Sequence, residues 1–221
     1  MENLPYTVIR SDRKTLAIQV LADGSVVVRS PRKMPAEEIE RFLQEKEAWI
    51  LKHRENARNR VQETVDPRKI LYKGVWKNIL PTEDNRVYFD GEFFYAPTDL
   101  DADSLRLTME NLMKKLAKME LVPMVYMLAA TLQVSPRRVT ITGAKTKWGS
   151  CSDGKNINLS WRLMAAPADA IKYVIIHELC HMREMNHSGD FWSLVEQYEP
   201  DWQKKREKLS QTQGWLDAYF K

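Results

Sequence analysis

"HELCHMREMNH", residues 177–187, holds three of the chain's four histidines. Two histidines four positions apart share one face of an α-helix, so His177 and His181 can aim ring nitrogens at a single point. Glu178 stands beside the first, in the spacing that lets a carboxylate face a reacting water while coordination is left to the imidazoles. His187 comes where the chain can turn back after the helix and offer a third nitrogen, giving three ligands and one open position, as in catalytic zinc sites. The bland alternative is an amphipathic helix whose histidines are satisfied by packing. A given H-E-x-x-H pattern arises by accident at roughly one position in eight thousand, and the third histidine lowers those odds further.

Working outward, Pro167 opens the motif helix, PADAIKYVIIHELCHMREM, whose YVII run calls for burial in the middle of a fold. Asn186, which tolerates a left-handed backbone, is expected to end it and swing His187 inward. Ser188 can cap a further helix, GDFWSLVEQY, and Pro200 starts another. Upstream, RRVTITG, KWGSCS and NINLSWRLM read as short strands, with SDG turning the second into the third. KWGSCS is the candidate edge strand beside the motif helix, where an extended peptide could pair through its main chain. Trp148, Gly149 and Ser150 on that strand are therefore candidate substrate-binding residues. Arg183 joins them as a candidate oxyanion group, and Arg162 and Tyr198 carry side chains suited to the same role. A helical pattern runs from Leu105 to about Leu132, and Pro123 within it should kink or divide the helix.

The first hundred residues look β-rich with one long helix. YTVIR, TLAIQVL and SVVVRS read as strands, the last two joined by an ADG turn, and Pro35 opens a helix through EAWILKHRENARNR with one charged interruption, Lys46, in its apolar stripe. ILYKGVWKNIL and RVYFDGEFFYAP follow, the latter with a DG hairpin signal. The expected organisation is α+β: a small β-rich module over residues 1–103, then a zincin-like helical domain with a short sheet over 104–221. Residues 1–103 carry 17 Lys and Arg against 18 Asp and Glu, and the remainder carries 17 against 12, from totals of 34 and 30. That mild basic excess permits anionic partners and more ordinarily marks a solvated face, so nucleic acid is not an expected partner. No apolar run reaches the roughly 20 residues of a membrane span, and MENLPYTVIRSDRK lacks a secretory apolar region. Two cysteines, Cys151 and Cys180, do not make a disulfide framework and suit a reducing compartment. The expected location is cytoplasmic.

His177, His181 and His187 repeat the metzincin ligand spacing, but Glu184 replaces its turn glycine and no methionine follows Met185 to form a Met-turn. A gluzincin-type set would instead draw a carboxylate from the next helix, with Glu196 the best placed. Taken together, TKWGSCSDGKNINLSWRLMAAPADAIKYVIIHELCHMREMNHSGDFW resembles the YgjP-like metallopeptidase family, related in motif to the SprT and WLM zinc proteases. IRSDRKTLAIQV, DGSVVVRSP and the helix ending in EAWI are similar to that family's N-terminal region. The resemblance implies Zn²⁺ held by His177, His181 and His187, Glu178 as the catalytic carboxylate, and a peptide or protein substrate. Two rival readings stand beside it. One is a metal-dependent hydrolase of nucleotide phosphoanhydrides, with Arg137, Arg138, Lys145 and Lys147 holding phosphates. The other is a structural zinc site closed by Asp190 or Glu196.

Overall fold

The computed structural model describes residues 5–21, 24–62 and 66–220, and the chain divides into two compact units, residues 1–65 with 217–221, and residues 66–216. In the first unit, strands β1 (Tyr6–Ser11), β2 (Ala17–Val20) and β3 (Val26–Pro31) form a sheet in the order β1-β3-β2, β1 parallel and β2 antiparallel to β3. Ala22 and Asp23 of the expected turn lie outside the described residues. The single long helix of the sequence reading is two helices, α1 (Ala36–Glu45) and α2 (Glu47–Gln62). They part at Lys46, the charged interruption of the apolar stripe, whose backbone leaves helical geometry at φ −105°, ψ 9°. The break lets Ile39, Leu43 and Ile50 all bury against Val26 and Val28 of the sheet.

In the second unit, β4 (Lys69–Tyr72), β5 (Val75–Thr82), β6 (Tyr88–Phe89) and β7 (Phe94–Pro97) form a sheet in the order β4-β5-β7-β6. The DG hairpin forms as the sequence suggests, with β6 antiparallel to β7 and Gly91 at φ +108°. The β4–β5 turn places Lys73 and Gly74 at φ +49° and +80°, the pairing a tight two-residue hairpin demands. Its tip is also an anchor. Lys73 N–H donates to Met164 O at 2.8 Å and Gly74 N–H to Ala165 O at 2.9 Å, while Pro167 packs so close that a Cβ at 74 would lie 2.9 Å from its Cγ. The hairpin thus holds the chain just ahead of the motif helix. Both sides of the expected boundary at 103/104 lie within the compact unit of residues 66–216.

Helix α3 (Ala102–Thr131) starts at Asp101, whose carboxylate accepts from Ser104 N–H at 2.8 Å. Of the two expected outcomes at Pro123, division does not occur: the helix runs through it in one piece. The buried stripe Leu105, Met109, Met113, Ala117, Leu121 and Val125 runs through the proline at a four-residue spacing. Packing along one unbroken face outweighs the one backbone bond that Pro123 cannot make.

Strands β8 (Arg138–Thr142), β9 (Gly149–Cys151) and β10 (Asn156–Ser160) form the third sheet in the order β8-β10-β9, which leaves β9 on an edge as expected. A 3-10 turn over Trp161–Ala165 leads into α4 (Ala168–Cys180), followed by α5 (Gly189–Tyr198) and α6 (Trp202–Tyr219). Ile171, Val174, Ile175 and Leu179 are buried, so α4 is a core helix carrying the motif at its end. Behind it, buried Glu199 binds Lys172 at 2.8 Å and also Lys205, fixing the turn after α5 between α4 and α6. No helix among the described residues is long and apolar enough to cross a membrane.

Candidate metal centre

Helix α4 ends earlier than its sequence pattern suggests, at Cys180, and His181 is its C-cap. The chain then turns through Met182 N–H to Leu179 O and Glu184 N–H to Cys180 O. Asn186 is not the left-handed residue expected there; the only positive-φ non-glycine residues described are Lys73, Gln133 and Lys155. His187 is returned instead by the start of α5, where Ser188 accepts from Phe191 N–H at 3.4 Å.

The result brings the three histidines together. One candidate ligand atom from each of His177, His181 and His187 lies within 4.8 Å of the others, and among the described residues no cysteine or carboxylate joins the group. The Nε2 atoms of His177 and His187 are 3.1 Å apart. Two nitrogens at the usual 2.0–2.1 Å from a tetrahedral zinc ion lie about 3.3 Å apart, so this spacing fits one shared ion. His181 Nδ1 faces the Glu184 carbonyl at 3.1 Å and must carry its hydrogen there, which leaves Nε2 as a lone-pair donor. Buried Phe191 lies under all three rings, with centroid separations of 4.9, 4.4 and 4.7 Å to His177, His181 and His187. Trp192 approaches His177 and His187 at 5.8 and 5.6 Å and stacks on Trp202 at 4.2 Å.

Electrostatics favour the neutral imidazoles that a metal needs. Burial, then the neighbouring His181 and His187, pushes His177 down to about 3. Burial also lowers His181, offset in part by the Glu184 carbonyl. Glu178 is only 6% exposed, and burial raises it to about 7 against the opposing pull of the Lys147 charge and the Cys151 N–H.

The carboxylate meets the edge strand directly. Cys151 N–H donates to it, and a Cβ at Gly149 would sit 2.7 Å from Glu178 Cγ and Oε1. Only glycine at 149 lets the acid lie this close to β9. Of the other expected substrate residues, Trp148 is half-buried and its carbonyl accepts from Ser160 N–H at 2.8 Å, while Ser150 is half-buried on β9. Arg183 is placed elsewhere: its guanidinium donates to Leu132 O at the C-terminal end of α3, where a cation satisfies an orphan carbonyl. Phe191 was not legible as part of the site from the motif alone, and Lys147, expected only as a phosphate-holding group in the nucleotide reading, stands instead close enough to Glu178 for its charge to act on the acid. The sequence signal for Phe191 is its place one turn beyond His187, inside a capped helix.

Asp190 and Glu196 are exposed and outside the imidazole group, so the described residues supply no fourth protein ligand of the kind a closed structural site needs. Three imidazole donors on and just after one helix, with a buried carboxylate next in sequence to the first, form a donor set that fits a metal ion.

Residues 14–212 match the family described as YgjP-like, metallopeptidase domain. The chain belongs to that family. A YgjP-like metallopeptidase carries a metal ion and hydrolyses peptide bonds, and three imidazoles meeting at one point suit that role. Two solved structures are also similar in part. The metallopeptidase zymogen of Pyrococcus abyssi abylysin shares 23% identity over 40% of this chain and 87% of that one, at a TM-score of 0.35. The metallopeptidase zymogen of Methanocaldococcus jannaschii jannalysin shares 21% over 42% and 95%, at 0.38. No curated protein matches the chain.

The two shifted groups predict a pH profile for the metal-free protein. His177, lowered from 6.5 to about 3, contributes stability that is present above pH 6.5 and lost as pH falls toward 3. Glu178, raised from 4.5 to about 7, has the opposite sign: its penalty is absent below pH 4.5 and complete above 7. Stability should rise from pH 3 to 4.5, stay nearly level to 6.5 where the two slopes cancel, and dip slightly toward 7. In Glu178→Gln the rise should continue to 6.5, by a few kcal/mol in total. Urea unfolding across pH 3–8 in the presence of chelator reads both curves, and identical curves would remove the assignment.

Proposed function

We propose that the chain is a zinc-dependent peptidase in which His177, His181 and His187 hold the ion and Glu178 is the catalytic acid–base. Bound there, Zn²⁺ supplies Lewis acidity, polarising a scissile carbonyl and making water a competent nucleophile near neutral pH. Glu178 takes the proton from the attacking water and delivers it to the departing amine. Its burial favours the protonated form of the carboxyl and so supports the proton-accepting half of that exchange. Phe191 beneath the imidazoles keeps solvent away and fixes ring orientation.

Strand β9 supplies a place for the substrate. The bonds Ser160 N–H to Trp148 O and Ser152 N–H to Asn156 O turn residues 148 and 152 toward β10. The backbone groups of 149 and 151, offset by one, therefore point out of the edge. Glu178 takes the Cys151 N–H, and Gly149 is left to pair with an extended peptide. Free Cys151 and Cys180 accord with a reducing, cytoplasmic setting.

The observation that carries this reading is the convergence of three imidazole nitrogens within 4.8 Å, with no cysteine or carboxylate among the described residues joining the set. The test is metal-dependent proteolysis. Purified protein should contain about one zinc ion per chain and cleave an unfolded protein; chelation should stop cleavage and added zinc restore it. Phosphate release from nucleoside triphosphates, measured in parallel, should stay at background. Chelation that unfolds residues 66–216 without any substrate ever being cleaved would establish a structural zinc site instead.

A further inference from the structure

The sheet that carries β9 has two unlike faces. Val139, Ile141, Ile157 and Leu159 fall on one, the last two fully buried. Thr140, Thr142, Asn158, Ser160 and Ser150 fall on the other, in register across three strands. An open cavity of about 210 Å³ lies over this polar face, walled by Thr142, Ser150, Asn158 and Ser160, with Lys147 and Gly149 at the β9 side. Gly149 is thus shared: Glu178 presses against it from one direction and the cavity opens from another.

The hydrogen bonds of the wall decide what the cavity can hold. Ser160 Oγ donates to Ala144 O at 2.7 Å and Thr142 Oγ1 to Leu159 O at 3.4 Å, so their hydrogens are engaged. Asn158 Nδ2 donates to Ser150 Oγ at 3.4 Å, which fills an acceptor site on Ser150 and leaves its O–H to donate elsewhere. Lys147 is exposed and has no ion-pair partner among the described residues. No carboxylate lines the cavity. A guest therefore meets the Lys147 cation, the Ser150 hydroxyl hydrogen and the second amide N–H of Asn158, against one amide acceptor, Asn158 Oδ1, a set in which donors and positive charge prevail and which suits an anion with acceptor oxygens. The volume is below the roughly 300–1,000 Å³ of sites for whole small molecules and suits a single side chain or chain end.

A peptide paired on the β9 edge would continue the sheet, so alternate side chains would project onto the polar face beside Ser150. We propose that this cavity is a specificity subsite that accepts a carboxylate of the substrate, held by Lys147 and the Ser150 hydroxyl. The proposal rests on the peptidase reading above and adds the substrate's charge to it.

The test is cleavage-site profiling of the zinc-loaded enzyme on a mixed peptide library, made with free and with amidated C-termini. Wild type should prefer Asp or Glu at one fixed position from the scissile bond by about tenfold over Lys or Arg, the worth of one charge-assisted hydrogen bond at an exposed site. Lys147→Glu should reverse that order and Lys147→Met should level it. Ratios between peptides are read, so a general loss of rate in the variants cancels. A preference that survives amidation assigns the carboxylate to a side chain; one that amidation abolishes assigns it to the chain end. Cleavage with no charge preference, or with the same preference in Lys147→Glu, overturns the subsite and leaves the peptidase intact. No cleavage of any peptide by zinc-loaded wild type overturns both.

Discussion

Glu178→Gln should reduce kcat/KM for peptide cleavage by about a thousandfold or more while zinc content stays at the wild-type value. The size follows from general acid–base catalysis, worth roughly 10²–10⁴ for one positioned group, and here the same carboxyl serves both proton transfers. Glutamine keeps the shape and can still accept the Cys151 N–H, but it cannot take up a proton. The imidazoles are untouched, so the metal should remain. Folding should not suffer either. The carboxylate is buried and held up near 7, so its charged form opposes folding at higher pH, and the amide should stabilise the metal-free protein by roughly 2–3 kcal/mol at pH 8. Kinetics, elemental analysis and chemical unfolding on one preparation separate these effects. A variant that retains more than a tenth of the activity would show that the proton moves through another group.

His187→Ala should abolish stoichiometric zinc binding, weakening affinity by about a thousandfold or more, on the order of 4 kcal/mol. This position is the most telling of the three proposed ligands because His187 is exposed and sits in the turn before α5. His181, by contrast, is 8% exposed and tied to the Glu184 carbonyl, so its removal would mix packing with ligation. His187→Ala should leave the metal-free fold within about 1 kcal/mol of wild type. Glu196→Gln is the matching control. It would be the damaging change if a carboxylate from α5 were the third ligand, yet Glu196 is exposed and lies outside the imidazole group. Zinc retained by His187→Ala and lost by Glu196→Gln would reassign the site.

Much of this arrangement was legible in local pattern. A four-residue spacing places His177 and His181 together on any helix, and the serine at 188 marks a helix start that returns His187. Strand and turn signals located β8, β9 and β10, and the edge position of β9 matched its expected place beside α4. Where the sequence reading failed, a nonlocal contact had overridden a local signal. Pro123 can divide a helix, and it does not do so here because the buried stripe from Leu105 to Val125 is continuous on both sides of it. The N-terminal helix should be one piece, and it breaks at Lys46 so that Ile39 and Ile50 reach the same core.

The sequence by itself determined which three histidines come together, the acid next to the first of them and the strand beside them, because those depend on helical period, capping and turn chemistry within short windows. Tertiary structure alone decided that Gly149 admits the Glu178 carboxylate to the strand, that Phe191 underlies the imidazoles, that Lys147 faces the acid and a polar cavity, and that Arg183 serves α3 instead. Each of these is a contact between segments distant in the chain or offset by a turn whose path no local preference specifies. Such contacts are fixed by how apolar faces pack, and that is a property of the whole fold.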